Sequence, residues 1–266
     1  MQSKLAIFLL CGGIALKLVL LLRMYQLQLV RRYPIATVCL SFSLFRTSGI
    51  LYLSLTGNVP AYGWLYFATQ PILWILYFLL ILELYSLVLE DFPGIRRLVR
   101  IVLFSGLAVV ALVCCVVMIL EEESGSIRQP LAAFLVLQDR NVFLCLSALT
   151  TLFFLFVSFY RLPICRNLWV LSACFGGYFI LSSALSASFR YFGDTFTFAR
   201  NLANSVSYLG ALSCASLLLS RAGESEVHRL PLPWRRGNQE LEFALLGELR
   251  DFNQVLGRLW RQWQPF

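Results

Sequence analysis

The chain has 266 residues, of which 59% are hydrophobic and 14% are charged, and its mean hydropathy is +0.75. Soluble domains contain about 45–50% apolar and about 25% charged residues, so this composition excludes an ordinary soluble protein. The net charge of +8 comes from arginines that lie between apolar segments. That pattern is typical of membrane topology, so we expect the lipid bilayer as a partner and no nucleic acid.

Seven apolar segments are each long enough to cross about 30 Å of hydrocarbon as a helix. They lie at residues 5–22, 34–55, 64–89, 99–120, 141–160, 167–188 and 198–220. The sequence therefore predicts an all-α, polytopic membrane protein, with a seven-helix transmembrane domain at residues 1–222.

Arginines concentrate in the connections that follow the first, third, fifth and seventh segments, as at Arg31 and Arg32 or at Arg96 and Arg97. The alternate connections are uncharged, acidic or mixed. Short arginine-rich loops stay in the cytoplasm, so the N-terminus is predicted outside and the C-terminus inside. We expect a multi-pass protein of the cell membrane, in a bacterial inner membrane.

The stretch QPLAAFLVLQDR at residues 129–140 precedes the fifth segment. It either lengthens the fifth helix outward or forms a short helix on the outer membrane surface. We predict the surface helix, because Gln138, Asp139 and Arg140 fall where the membrane boundary is expected.

The C-terminal region separates into a linker at residues 223–237, which contains proline and arginine, and an amphipathic cytoplasmic helix at residues 238–266. Apolar side chains recur there at spacings of three and four, at Leu245, Leu249, Phe252, Leu256, Leu259 and Trp263. One apolar stripe predicts a helix that lies on the inner membrane surface. The alternative is a cytoplasmic partner or self-association through residues 241–263.

Polar side chains inside the third and seventh segments keep helical spacing. They are Gln70, Trp74 and Tyr77 on the third helix and Asn201, Asn204, Ser205 and Tyr208 on the seventh. Amides without partners are unfavourable in hydrocarbon, so both polar faces are expected to look into the bundle. There they either hydrogen-bond neighbouring helices or bind a ligand.

Arg46 lies near the middle of the second segment, where a charge costs about 2.5–3.5 kcal/mol. At a rise of about 1.5 Å per residue, it is level with the polar face of the seventh helix. A guanidinium facing amides and hydroxyls suits a carboxylate or phosphate, although a structural lock is the alternative. The predicted ligand-binding residues are Arg46, Gln70, Tyr77, Asn201, Asn204 and Tyr208.

Lys17 and Glu83 lie at similar depths, each about 8–9 Å from the cytoplasmic end of its helix. Equal depth predicts an intramembrane ion pair between them. The competing interpretation is that the Lys17 amine extends to the membrane surface.

A weak internal repeat relates the two halves of the chain. FATQPILWILY at residues 67–77 aligns with FARNLANSVSY at residues 198–208, which matches Gln70 with Asn201 and Tyr77 with Tyr208. Segments one to three would then repeat as segments five to seven around a linking fourth. Parallel repeats of this kind occur in membrane transport folds.

The topology resembles microbial rhodopsins, G-protein-coupled receptors and SWEET-type transporters, but their signature residues are absent. The seventh segment contains no lysine for a retinal Schiff base, and His228, the only histidine, lies in the linker. A histidine metal site and a Ser-His or Cys-His catalytic pair are therefore excluded, and no cofactor is predicted.

We predict a receptor- or sensor-like protein with an outward-facing polar pocket for a small anionic ligand. A small-solute transporter is the alternative, and a membrane-embedded enzyme is third.

Overall fold

The computed structural model describes residues 2–105, 108, 130–160, 162, 164–192, 197–228 and 239–262. The described helices are α1 (Gln2–Gln26), α2 (Pro34–Thr56), α3 (Val59–Val88), α4 (93–105), α5 (Pro130–Tyr160), α6 (Arg166–Phe192), α7 (Thr197–Leu218) and α8 (Gln239–Gln262). Short 3-10 turns at Leu29–Arg31 and Ala222–Glu224 and two-residue strands β1 (Ile164–Cys165) and β2 (Val227–His228) complete the described elements. The predicted all-α class is confirmed.

Five of the described helices are long and apolar enough to cross a membrane. They are Ile7–Gln26, Pro34–Thr56, Pro60–Val88, Asn141–Tyr160 and Arg166–Ala187. The chain is therefore a multi-pass membrane protein. The predicted seventh segment coincides with α7, whose polar face lowers its hydropathy, and most of the predicted fourth segment lies outside the described residues.

Local signals in the sequence explain where the second and third helices begin and end. Pro34 opens α2, because a proline ring fits the first helical turn without losing a hydrogen bond. Gly57 ends α2 in the left-handed conformation with φ of 70°, which glycine adopts without strain. Asn58 then caps α3 by accepting a hydrogen bond from the Ala61 amide at 3.2 Å. The two helices form a tight antiparallel hairpin.

The helices form a closed ring in which neighbours follow chain order. Contacts join α1 to α2, α2 to α3, α3 to α5, α5 to α6, α6 to α7, and α7 back to α1. Tyr66 contacts Asp139 near the start of α3, and Tyr85 donates to the Leu149 carbonyl at 2.9 Å near its end. The contact nearer the start of α3 reaches the earlier residue of α5, and the contact nearer its end reaches the later one. The two helices therefore run parallel.

The first and last helices of the ring also run parallel. A side chain added at Gly13 would contact Leu209, and Arg23 donates to the Leu219 carbonyl ten residues further along each helix. Because the hairpin partners α2 and α6 run the opposite way, α1, α3, α5 and α7 share one direction.

Aromatic rings of α3, α5 and α6 pack at the centre of the ring. Tyr77 meets Phe179 edge-on at 5.2 Å between centroids, and Phe143 meets Tyr178 at 5.8 Å. All four side chains are buried. Such edge-to-face pairs contribute about 0.5–1.5 kcal/mol each beyond their buried area. This cluster forms the floor beneath the polar site described below.

The prediction of a separate surface helix at residues 129–140 is wrong, because α5 runs without a break from Pro130 to Tyr160. The carboxylate of Asp139 does not mark a membrane boundary. It lies against α3 and accepts hydrogen bonds there. A charge that is satisfied inside the bundle does not have to end a helix at the surface.

The predicted linker is partly folded. Its first residues form a 3-10 turn and β2, which pairs antiparallel with β1 so that Ile164 faces His228. Residues 229–238 lie outside the described part of the chain.

Candidate functional site

A cavity of about 680 Å³ lies inside the ring, towards the N-terminal ends of α1, α3 and α7. All six residues that the sequence predicts as ligand-binding line it, namely Arg46, Gln70, Tyr77, Asn201, Asn204 and Tyr208. Further polar lining comes from side chains that the sequence did not assign to the site: Lys17, Ser43, Thr47, Tyr66, Asp139, Tyr178 and Ser205. The structure thus places residues from six helices around one space.

Arg46 is held on one side of the cavity by α3. Its Nε donates to Thr69 Oγ1 at 3.0 Å, its Nη2 donates to Gln70 Oε1, and its guanidinium lies 4.8 Å from the centre of the Tyr66 ring. Tyr66 is also a hydrogen-bond partner of the guanidinium. The guanidinium carries five N–H donors, so these neutral groups orient it without engaging every donor.

Asp139 is the carboxylate of the cavity, and neutral donors satisfy it. Gln70 Nε2 and Trp74 Nε1 both donate to Oδ1, the latter at 2.7 Å, and the Tyr66 hydroxyl donates to Oδ2 at 3.3 Å. The Gln70 amide thus bridges Arg46 and Asp139 without a direct ion pair between them. Sequence reasoning missed Asp139, although its spacing from the buried Phe143 and Leu146 is the i, i+4, i+7 pattern of one helix face.

Lys17 and Glu83 do not form the predicted ion pair. Lys17 Nζ donates to the Ser43 carbonyl at 3.2 Å and to Thr47 Oγ1 at 2.6 Å. Glu83 instead accepts from the Ile35 amide at 2.8 Å and the Ala36 amide at 2.9 Å.

Glu83 does not pair with Lys17 because its carboxylate is used at the start of α2. The first backbone amides of that helix have no partner within the helix and carry partial positive charge. The Glu83 carboxylate satisfies two of them. The contacts of Lys17 lie about two turns further along the same helix. Lys17 is only 3% exposed, so its amine does not extend to the membrane surface either.

The amine of Lys17 instead belongs to the cavity. It lies 5.2 Å from the centre of the Tyr208 ring, a favourable position for a cation over an aromatic face. The described lining residues therefore include two cations, Lys17 and Arg46, and one carboxylate, Asp139. Both oxygens of Asp139 already accept hydrogen bonds from neutral donors. An uncompensated positive charge in a low-dielectric space favours binding of an anion.

The polar face of α7 completes the cavity. The Tyr208 hydroxyl lies 3.3 Å from Ser43 Oγ, and its ring packs 5.0 Å from the Tyr178 ring. Asn204 Oδ1 is buried and has no hydrogen-bond partner among the described residues, whereas Asn201 is exposed and accepts from Arg200. A buried acceptor without a donor costs about 1–3 kcal/mol, which a donor group on a ligand would recover.

At the opposite end of the bundle, the chain after α7 is tied to the helices by half-buried polar contacts. Glu224 pairs with Arg32 at 3.0 Å and accepts from the Tyr33 hydroxyl at 3.0 Å and from Asn167 Nδ2 at 3.0 Å. Burial, together with the Glu224 charge, raises the pKa of the Tyr33 phenol well above its ordinary value, so it stays a donor.

Asn167 binds the chain just after α7 through both the nitrogen and the oxygen of its side-chain amide. It donates to the Ser220 carbonyl at 2.7 Å and accepts from the Ser220 amide at 3.1 Å, and it is fully buried. Sequence reasoning missed this cluster, because each member is a single polar residue in a loop, a turn or the first turn of a helix and carries no periodic signal.

The described residues contain no group of three or more His, Cys, Asp or Glu side chains placed to hold a metal ion. Comparison with family models, curated proteins and solved structures gives no match to the chain. The geometry of the cavity is therefore the basis for assigning a function.

Proposed function

We propose that the chain is a seven-span, sensor-like membrane receptor whose cavity binds a small anionic ligand from outside the cell. The observation that carries the proposal is the charge of the cavity, where Lys17 and Arg46 face one carboxylate that neutral donors already satisfy. Asn204 Oδ1 adds a buried acceptor that no described residue donates to. A small carboxylate or phosphate that also carries a hydroxyl or amine would satisfy all these groups.

Helix direction supports the count of seven spans. Because α3 and α5 are parallel neighbours, the end of α3 and the start of α5 lie at opposite ends of the bundle. One return crossing is then needed between residues 88 and 130, where the sequence predicts the fourth segment. With α7 parallel to α1, the crossings add to an odd number, as the arginine pattern requires.

The same directions support an outward-facing cavity. Arg23, Arg32 and Arg166 lie at the end of the bundle where α1 ends and α6 begins, and the cavity lies towards the other end. Arginine-rich ends stay in the cytoplasm, so the cavity would face outside.

Contacts along α1 and α7 support a sensor. In the cavity, Lys17 of α1 lies over Tyr208 of α7, and at the cytoplasmic end Arg23 donates to the Leu219 carbonyl. A ligand that moves these two helices relative to each other would change the contacts that hold the C-terminal segment. α8 would then carry the signal to a partner.

Thermal-shift measurements on the purified full-length protein test the binding proposal. We expect at least one compound in a panel of small carboxylates and organic phosphates to raise Tm. Arg46→Gln and Lys17→Gln should each remove that rise. Arg31→Gln removes the same charge at an exposed cytoplasmic position and should keep it. Absence of any stabilising anion, or a full shift in Arg46→Gln, would refute the proposed site.

A small-solute transporter is the second candidate, favoured by the order of the ring. In it, α1–α3 and α5–α7 occupy opposite halves, as an internal repeat would require. Proteoliposome uptake separates the two functions. A transporter accumulates the stabilising anion and loses uptake in Arg46→Gln, whereas a sensor shows no uptake and loses its output, but not ligand binding, when residues 239–262 are deleted.

A further inference from the structure

A second cavity, of about 640 Å³, lies at the cytoplasmic end of the bundle between the start of α4 and the C-terminal half of α8. We name it the α4–α8 groove and define it by Pro93, Arg97, Gly257, Arg258 and Arg261. It is separate from the cavity within the ring and shares no lining residue with it.

The groove is built from firmly docked helices. The side chain of Asn253 on α8 accepts from the Gly94 amide at 2.7 Å and the Ile95 amide at 3.2 Å, and so caps the first turn of α4. Gly94 permits this close approach, since a side chain there would lie 2.7 Å from the Asn253 carbonyl oxygen. Leu249 and Leu256 are buried beneath α8.

The charge of the groove is entirely positive among its described lining residues. The guanidinium of Arg97 on α4 lies 4.8 Å from the centre of the Trp260 ring on α8. Arg258 and Arg261, which precede and follow Trp260 on α8, also line the groove. None of the three forms an ion pair within the described part of the chain. Three guanidinium groups with no facing carboxylate match a phosphate, which accepts several donors at once.

Exposed apolar side chains flank the groove on α4. Ile101 and Phe104 are about half exposed and follow Arg97 at i+4 and i+7, so they lie on the same helix face. On α8, Phe252, Val255 and Leu259 are also about half exposed, but they lie on the side of the buried face opposite the arginines. Apolar faces on a multi-pass protein contact lipid, so the arginines lie at the level of the phosphate groups.

From this arrangement we propose that the α4–α8 groove binds the phosphate of an anionic phospholipid of the inner leaflet. The arginines hold the headgroup, and the acyl chains lie along the exposed apolar face of α4 at Ile101 and Phe104. A free phosphate would use only the arginines, whereas the neighbouring apolar face of α4 suits a ligand with hydrocarbon chains. The lipid thereby fixes α8 to the membrane surface beside the bundle.

Native mass spectrometry of the full-length protein tests this site. Detergent-purified protein is incubated with equal amounts of phosphatidylglycerol and phosphatidylcholine, and the lipid retained by each variant is counted. We expect wild type to retain phosphatidylglycerol preferentially. The double variant Arg258→Gln/Arg261→Gln should lose most of that preference, by severalfold. Arg250→Gln, an exposed position on the same helix outside the groove, is the matched control and should retain it.

Two further arms separate the lipid from other sources of the same chemistry. Millimolar inorganic phosphate or glycerol phosphate should not displace phosphatidylglycerol, because neither supplies acyl chains. Ile101→Asn/Phe104→Asn should weaken retention while the arginines remain, whereas Val255→Asn/Leu259→Asn, on the opposite side of α8, should not. Equal retention of both lipids by wild type, unchanged preference in the double arginine variant, or full displacement by inorganic phosphate would each overturn the proposal.

Discussion

Replacing Glu83 with glutamine removes a negative charge from the start of α2 while the size of the side chain stays almost unchanged. Its two oxygens accept from the Ile35 amide at 2.8 Å and from the Ala36 amide at 2.9 Å, and the side chain is 7% exposed. Hydrogen bonds to charged groups contribute about 1.5–3 kcal/mol each. Glutamine keeps one acceptor and turns an NH₂ group towards an amide donor. We therefore expect a loss of about 2 kcal/mol in the free energy of unfolding.

The matched control is Glu90→Gln, two residues beyond the end of α3, the helix that carries Glu83. Glu90 pairs with Arg32 at 3.6 Å, and its side chain is 59% exposed. Exposed pairs contribute about 0–1 kcal/mol, so this variant should lose far less. Unfolding is followed by SDS titration of the protein in mixed micelles. Equal losses in Glu83→Gln and Glu90→Gln would refute the capping role.

A double-mutant cycle with Lys17→Met separates the observed geometry from the ion pair predicted from sequence. Lys17 and Glu83 contact different turns of α2, so their effects should add to within about 0.5 kcal/mol. A direct buried pair would give strong coupling, because removing either partner leaves the other charge uncompensated. Coupling above about 1 kcal/mol would show that the two side chains interact directly.

Three further predictions concern helix packing, the polar contacts that Asn167 makes with the chain after α7, and the cavity. Gly176→Ala should destabilise the protein by about 1–3 kcal/mol, because the new methyl group would overlap Thr150 Cγ2. In contrast, Gly177→Ala, where nothing lies within 4 Å, should leave stability unchanged or raise it in the same SDS titration. Asn167→Ala should cost about 1–3 kcal/mol by leaving the Ser220 backbone groups unpaired, and limited proteolysis should then cut after α7. Asp139→Asn should lower the Kd of the stabilising anion in titration calorimetry, since it removes the only described carboxylate of the cavity; a raised Kd would contradict the charge argument.

Residue spacing carried the correct information about which side chains share a helix face. The positions of Asn201, Asn204 and Tyr208 follow from the helical period alone, and the depth of Arg46 follows from the rise per residue. The structure places these side chains around one cavity together with Gln70. Period and depth were sufficient for the side chains that face inward, although Asn201, near the start of α7, is exposed and accepts from Arg200.

Partners across helices did not follow from the same signals. Equal depth suggested that Lys17 meets Glu83, but the rotation of α1 points the amine at Ser43 and Thr47. Asp139 was assigned to a boundary because three polar residues in a row resemble a helix end. Which donors meet it depends on α5 lying beside α3, and neighbour order is a tertiary property that one sequence does not reveal.

The contact between α1 and α7 closes the ring across nearly the whole length of the chain. Lys17 and Tyr208, which face each other in the cavity, lie far apart in the sequence. The cavity is therefore complete only after α7 has been synthesised and has packed against α1. The Tyr208 hydroxyl reaches Ser43 of α2 only in the assembled ring. A substitution that delays the contact between α1 and α7 should therefore lower the abundance of the folded protein before any effect on ligand affinity is measured.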